Sequence, residues 1–256
     1  MIRVAINADD YGLSDGICRS VLELIDADAV SNTTIMIAAE DSGMRCARFG
    51  LENIEGRAGV HLQLSGGRPL SPVREVDTLV DTTGRFKQRD DIADGHPDQV
   101  RAEWRRQILA VADLLGTAPT HLDSHHGAHR HPGYAQVYLD LAEEFGLPVR
   151  GGVTPEFTRL MAERGVRGSH AIIRDWTGRD LGIADLRDRL ARSAATREPH
   201  ADLIEVVTHP GFDDAHLRQV STLNSAREGD HRVLLDLARS DWLRENGFEL
   251  VRYPDV

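Results

Sequence analysis

Two aspartates stand side by side in Asn7-Ala8-Asp9-Asp10-Tyr11-Gly12, directly after the short apolar run Arg3-Val4-Ala5-Ile6. Adjacent carboxylates at the end of a strand repel each other unless counter-charge is supplied, and a divalent cation is a common source of it. The same dipeptide also suits a polar turn in which Asp10 or Ser14 caps the next helix. Imidazoles recur downstream: His61 in Gly59-Val60-His61-Leu62-Gln63-Leu64, His121 and His125 on either side of Asp123, and His209 ahead of Pro210-Gly211. Five of the twelve histidines fall between His121 and His131. Imidazole and carboxylate together form the mixed donor set of a catalytic divalent metal, with coordination positions left open. A lone histidine is more often an ordinary hydrogen-bonded residue. The weight lies in the repetition at several strand ends. His126, His129 and His131 exceed what a mononuclear site needs and are read as solvent-facing or outer residues. His96, His170, His200, His216 and His231 are assigned to the surface.

The elements that must position these groups alternate. Residues 14–29 read as a helix with Ile17, Val21, Leu24 and Ile25 on one stripe, and 33–38 as a β-rich strand. A short helix is expected at 41–49 and an alternating strand at 59–64. Helix 98–115, with Val100, Trp104, Ile108 and Val111 aligned, ends at Gly116. Strand 120–124, helix 134–145, strands 148–153 and 169–174, helix 184–195, strand 203–208, helix 230–245 and a closing strand 248–253 follow. Strands alternating with helices specify a parallel sheet covered by helices. About seven strands favour a closed or nearly closed (β/α) barrel over an open doubly wound sheet. In such folds the ligand site forms at the C-terminal strand ends, where the reactive residues fall. No repeat or linker divides residues 1–256, so a single domain is expected. The segment 65–97 is rich in Gly, Pro and charge and reads as a lid or insertion.

The composition narrows the partners. The 256 residues carry 41 acidic against 30 basic side chains, a formal net charge of −11. Such a chain has no general attraction for nucleic acid or an anionic membrane. Lys87 is the only lysine, and the arginines are spread evenly. Cys18 and Cys46 are isolated thiols outside any Cys-x-x-Cys, which fits a reducing compartment. The start Met1-Ile2-Arg3-Val4 lacks the apolar core of a signal peptide, and no run is long enough to span a membrane. The expectation is a soluble cytoplasmic protein.

Taken in order, Asn7-Ala8-Asp9-Asp10-Tyr11-Gly12, the His61 motif, His121-Leu122-Asp123-Ser124-His125 and Thr208-His209-Pro210-Gly211 resemble the successive motifs of the YdjC-like carbohydrate deacetylases, the family of chitooligosaccharide deacetylases. The match runs from residue 6 to about 228. The resemblance implies a distorted α/β (β/α) barrel related to polysaccharide deacetylases. It implies one divalent metal held by Asp10, His61 and His125, with Asp9 as catalytic base and His209 as general acid. Zn²⁺, Mg²⁺, Mn²⁺ and Co²⁺ all suit nitrogen and oxygen ligation. The family's late Arg-Glu segment is matched only loosely by 224–228. Arg227 is a candidate for substrate contact or a surface arginine paired with an acid. Gly127-Ala128 interrupts the family's His-x-His spacing after His125. A homodimer is the assembly that the resemblance implies.

The implied reaction removes the N-acetyl group of an amino sugar or a short oligosaccharide. Asp123 shares its strand face with the histidines and could orient one of them, or cap a loop; His121 is placed with it behind the ligands. Tyr11 is the leading candidate to stack on a sugar ring, with Tyr134 and Trp176 behind it, whereas Trp104 and Tyr138 are assigned to packing. A metal-dependent phosphoesterase on a barrel would want further ligands for a second metal and basic residues for phosphate. A non-catalytic sugar-binding protein would not need Asp9 beside a ligand. An iron oxygenase shares the donor set but not the strand-helix alternation.

Overall fold

The computed structural model describes residues 1–152, 154–179, 181–196 and 203–255. Among the described residues, seven strands form one all-parallel sheet: β1 (Ile2–Tyr11), β2 (Asn32–Ile35), β3 (Ala58–Leu62), β4 (Leu122–Ser124), β5 (Ala171–Ile173), β6 (Leu203–Thr208) and β7 (Phe248–Leu250). The order is β4-β3-β2-β1-β6-β5, with β7 alongside the start of β1. β1 is the spine. Its first half pairs with β7 through Ile2↔Phe248, its second half with β2 through Asn7↔Asn32, and most of its length with β6. The two ends of the sheet meet through single parallel bridges, Leu122↔Val149 and Val149↔Gly168, which curl it into a distorted barrel. The expected strand at 148–153 is thus reduced to one bridging residue, Val149, because Gly151 and Gly152 follow after Arg150 and Gly152 turns left-handed (φ +61°). Val153 lies outside the described residues.

Helices cover the barrel: α1 (Asp15–Asp26), α2 (Ser42–Arg48), α3 (Pro97–Leu115), α4 (Pro132–Phe145), α5 (Pro155–Glu163), α6 (Ile183–Thr196), α7 (Leu217–Val220), α8 (Ala226–Ala238) and α9 (Trp242–Glu245). Ser14 caps α1 by accepting from the Ile17 N–H at 3.2 Å, and Ile17, Val21, Leu24 and Ile25 bury the predicted stripe. Gly116 closes α3 in the left-handed conformation. The expected helix 230–245 is broken into α8 and α9 by the turn at Ser240 and Asp241, and α5 was not anticipated. None of the described helices is long and apolar enough to cross a membrane.

The 65–97 segment carries a Val80↔Phe86 antiparallel bridge and buries Val76, Leu79, Phe86 and Ile92. It is fastened to α3 by side chains. The buried Glu103 carboxylate accepts from the Leu70 N–H at 3.0 Å, the Ser71 N–H at 2.9 Å and Gln107 Nε2 at 2.8 Å. Gln99 Oε1 accepts from both the N–H and the hydroxyl of Thr78. Replacing Glu103 by alanine strands these donors and is expected to cost about 3 kcal/mol. Limited proteolysis under native conditions should then cut Glu103→Ala within 65–97 well before the barrel. Unchanged cleavage would show that the segment is held by other means.

Candidate active site

The site begins with a break in the alternation of β1. Along a regular strand Asn7 and Asp9 face one way and Ala8 and Asp10 the other. The β1–β2 register shifts between Ala8 and Tyr11, and Asp10 adopts φ +70°. A non-glycine residue there carries strain of about 1 kcal/mol, least for Asn and Asp. The distortion brings the Asp10 carboxylate to the same side as that of Asp9. Both side chains are buried, at 1% and 2% exposure.

Three donor atoms form a near-equilateral triangle. Asp10 Oδ1 lies 3.3 Å from His61 Nε2 and 3.4 Å from His125 Nδ1, and the two imidazole nitrogens are 3.3 Å apart. Asp10 Oδ1 is buried without a hydrogen-bond partner. Two donors each about 2.1 Å from a shared ion, at a tetrahedral angle, lie about 3.4 Å apart. The triangle therefore fits a small divalent cation, and the orphaned oxygen is what such an ion would satisfy. His61 is turned by Asp123, whose Oδ1 meets Nδ1 at 2.6 Å and leaves Nε2 for the triangle. Asp123 Oδ2 is held by Thr34 Oγ1 at 3.0 Å and Arg150 at 2.9 Å. His125 follows β4, where His126 (φ +55°) and Gly127 (φ +67°) turn the chain.

Arg150 binds Asp9 through both Nη atoms, at 2.8 and 2.7 Å, and donates from Nε to Glu205 Oε1 at 2.7 Å. Asn7 Nδ2 adds a third bond to Asp9, at 2.7 Å. Glu205 Oε2 takes the Tyr253 hydroxyl at 2.6 Å and the Ser169 hydroxyl at 3.0 Å. Arg227 Nη2 donates to Asp10 Oδ2 at 2.7 Å. Four buried carboxyl groups (Asp9, Asp10, Asp123 and Glu205) thus face two guanidinium groups. Burial opposes the charge on Asp9 and Asp10, but Arg150 and Arg227 outweigh it and hold both carboxyls below the usual range. The remaining excess of negative charge acts on His61: burial disfavours its cation, yet Asp123 and Asp10 push it up to about 10. His209 Nε2 lies 3.8 Å from Asp9 Oδ2, and burial lowers its pKa despite Asp10 and Asp9. Gly16 allows the chain after His209 to press against α1, since a Cβ there would strike the Phe212 carbonyl.

The triangle, Asp9, Arg150, His209 and Arg227 line a cavity of about 320 Å³, whose wall also includes Arg89, Arg130 and Arg174. A second cavity of about 430 Å³ adjoins it across His125 and His126 and is walled by Gly66, Gly67 and residues 85–89 of the 65–97 segment. Asp9 and Asp123 also approach His61 closely enough to share an ion, but the Arg150 guanidinium already binds both carboxylates.

Asp9, Asp10, His61, His125, His209 and Arg227 converge on the cavity, and Asp123 stands behind His61. Other expectations need correction. Tyr11 cannot stack on a sugar: the distortion at Asp10 sends its ring to the other face of β1, into the core at 0% exposure near Cys18 and Cys46. Trp176 is 1% exposed, and Tyr134 is packed edge-on to Trp104 with its hydroxyl on the Ile92 and Gly95 carbonyls. His121 touches neither His61 nor His125. It stacks on Tyr253 and reaches Asn7 Oδ1 at 3.1 Å, one layer behind Asp9. His231, assigned to the surface, is buried against Ser20 at 2.7 Å. His129 is buried on Tyr138 and bonds Ser124. His200 lies outside the described residues. Arg150 and Glu205 were missed. Their signal is a single charge inside each of two otherwise apolar strand-like runs, 147–153 and 203–207.

Arg150→Met leaves three carboxylates facing one another, and an uncompensated buried charge costs about 3–5 kcal/mol. Urea denaturation should register a loss of that size. A loss below about 1 kcal/mol would mean that the carboxylates do not depend on Arg150.

Comparison with known proteins gives a consistent result. A sequence profile of YdjC-like proteins matches residues 3–245. The carbohydrate deacetylase of Thermoanaerobacter pseudethanolicus is 30% identical, over 97% of this chain and 96% of its own. That of Geobacillus stearothermophilus is 30% identical over 98% and 96%, and that of a Vibrio cholerae strain 28% identical over 98% and 95%. A crystal structure from Enterococcus faecalis, of a protein provisionally described as acting in cellobiose-phosphate cleavage, superposes with a TM-score of 0.88 at 24% identity, covering 99% of this chain and 98% of its own. This last likeness speaks to the fold.

Proposed function

The chain belongs to the YdjC-like protein family, and on that premise we propose that it is a metal-dependent deacetylase that hydrolyses the N-acetyl group of an amino sugar or short oligosaccharide and releases acetate. The observation that carries the reading is the orphaned Asp10 Oδ1 in its triangle with His61 and His125, flanked by Asp9 and His209. The naming of several relatives as carbohydrate deacetylases supports the sugar substrate.

Asp10, His61 and His125 would hold the divalent cation, Zn²⁺ or Mg²⁺ with Mn²⁺ and Co²⁺ as further candidates, and a cation bound there supplies a water of lowered pKa and polarises the amide carbonyl. Asp9 accepts the proton of the attacking water. Arg150 and Asn7 keep its carboxylate ionised and aimed. His209, whose Nε2 faces Asp9 across the cavity, hands a proton to the departing nitrogen, which cannot leave as an amide anion. Arg227 offsets the charge of Asp10, and its Nη1 has no partner, which leaves a donor for a substrate oxygen. Asp123 orients His61. The two adjoining cavities favour a substrate longer than one sugar. A cytoplasmic setting, and with it short imported oligosaccharides, is part of the proposal.

The phosphoesterase alternative is weakened because the second carboxylate group is already neutralised by Arg150. A binding module would gain nothing from Asp9 and His209 beside the triangle. The test is acetate release from a panel of N-acetylated mono- and oligosaccharides, with the protein stripped of metal and then reloaded. Release should need reloading, and Asp9→Asn and His209→Gln should each lower kcat by about 10²–10⁴-fold. No acetate from any N-acetylated sugar with any of the four metals would refute the reading. Full activity in Asp9→Asn would remove the assigned base.

A further inference from the structure

Thr177 and Asp230 connect the loop after β5 and helix α8 to the imidazole of His209. Asp230 is 2% exposed. Its Oδ1 accepts the Gly178 N–H at 2.9 Å, and its Oδ2 accepts the His209 N–H at 3.0 Å and the Thr177 hydroxyl. Thr177 Oγ1 also stands 3.0 Å from His209 Nδ1 and 3.1 Å from the His209 N–H.

The protons can be assigned from these contacts. A carboxylate that collects three donors has none to give, so the single Thr177 proton points at Asp230. The lone pairs of Thr177 Oγ1 then face His209, and its ring partner must be an Nδ1–H. A neutral His209 so held has its lone pair on Nε2, the nitrogen directed at Asp9. We propose that Thr177, backed by Asp230, is a positioning residue that locks His209 in the Nδ1–H tautomer and keeps Nε2 open on the cavity side.

The inference rests on the reading of His209 as the group that passes a proton to the leaving nitrogen. Asp9, having taken the proton of the attacking water, passes it to Nε2, 3.8 Å away, and Nε2 gives it to the nitrogen as the C–N bond breaks. Nδ1–H stays bonded to Thr177 throughout. When the ring is charged, Asp230 balances it through the hydroxyl. A histidine free to flip its tautomer would present an N–H where an acceptor is needed.

Thr177→Val removes the hydroxyl at nearly constant shape, and Asp230 keeps its two backbone N–H donors, so the loop has reason to hold. The experiment records ¹⁵N-histidine ring correlations and steady-state kinetics on the Zn²⁺-loaded wild type, Thr177→Val and Thr177→Ser. The wild-type His209 should show Nδ1–H. In Thr177→Val the tautomers should mix and kcat should fall about 10–100-fold, with KM within about twofold; Thr177→Ser should restore both. An Nε2–H tautomer in the wild type, or wild-type kcat in Thr177→Val, would overturn the proposal. Should the wild type release no acetate, the deacetylase reading fails, while the ring spectra still decide the tautomer lock.

Discussion

One guanidinium, that of Arg150, ties together carboxylates from three strands of the barrel: Asp9 on β1, Asp123 on β4 and Glu205 on β6. No side chain is less welcome in a protein interior than an unpaired charge, so these four groups are buried together or not at all. Arg150 follows Val149, whose backbone bridges β4 to the residues before β5 and so joins the two ends of the sheet. The residue that closes the sheet and the residue that assembles the site are therefore neighbours in the chain. The order in which the groups are held follows: Glu205 and Asn7 fix Arg150 and Asp9, Asp123 fixes His61, and the Asp10 oxygen is left over.

A second constraint sits at the end of β1. Two consecutive strand residues cannot both face the barrel interior without a local break, and the left-handed turn at Asp10 supplies it. The same break separates the two aspartates by environment. Asp9 is gripped by Arg150 and Asn7, whereas Asp10 keeps one oxygen towards Arg227 and presents the other to the histidines. Nothing in the proposed division of labour requires the two residues to differ in kind; their neighbours make the difference.

This arrangement explains what was readable in advance. The barrel was legible because α1 and α3 show clean helical stripes and β3 and β6 are short apolar runs, each positioned by its caps or glycines. Asp9, Asp10, His61, His125 and His209 were legible as candidates because reactive types recurred at successive strand ends. Tyr11 misled because standing next to the aspartate pair was its whole case, and the break at Asp10 turns its ring away from the site into the core. The strand expected at 148–153 misled because its two glycines do not declare from sequence that Gly152 turns left-handed and leaves Val149 as the one paired residue. Arg150 and Glu205 needed the observation that two lone opposite charges lie in two apolar runs, of which only the second folds as a strand. Thr177 and Asp230 carried no pattern at all, since a hydroxyl and a helical carboxylate meet His209 only through the folded chain.

The central claim is that the Asp10, His61 and His125 triangle takes one divalent cation. The direct measurement is equilibrium dialysis of the metal-stripped protein against Zn²⁺, beside His125→Ala and Asp10→Asn. The account predicts one tightly held ion per chain in the wild type and loss of that ion in both variants. No ion in the wild type, or an undiminished ion in both variants, would contradict it.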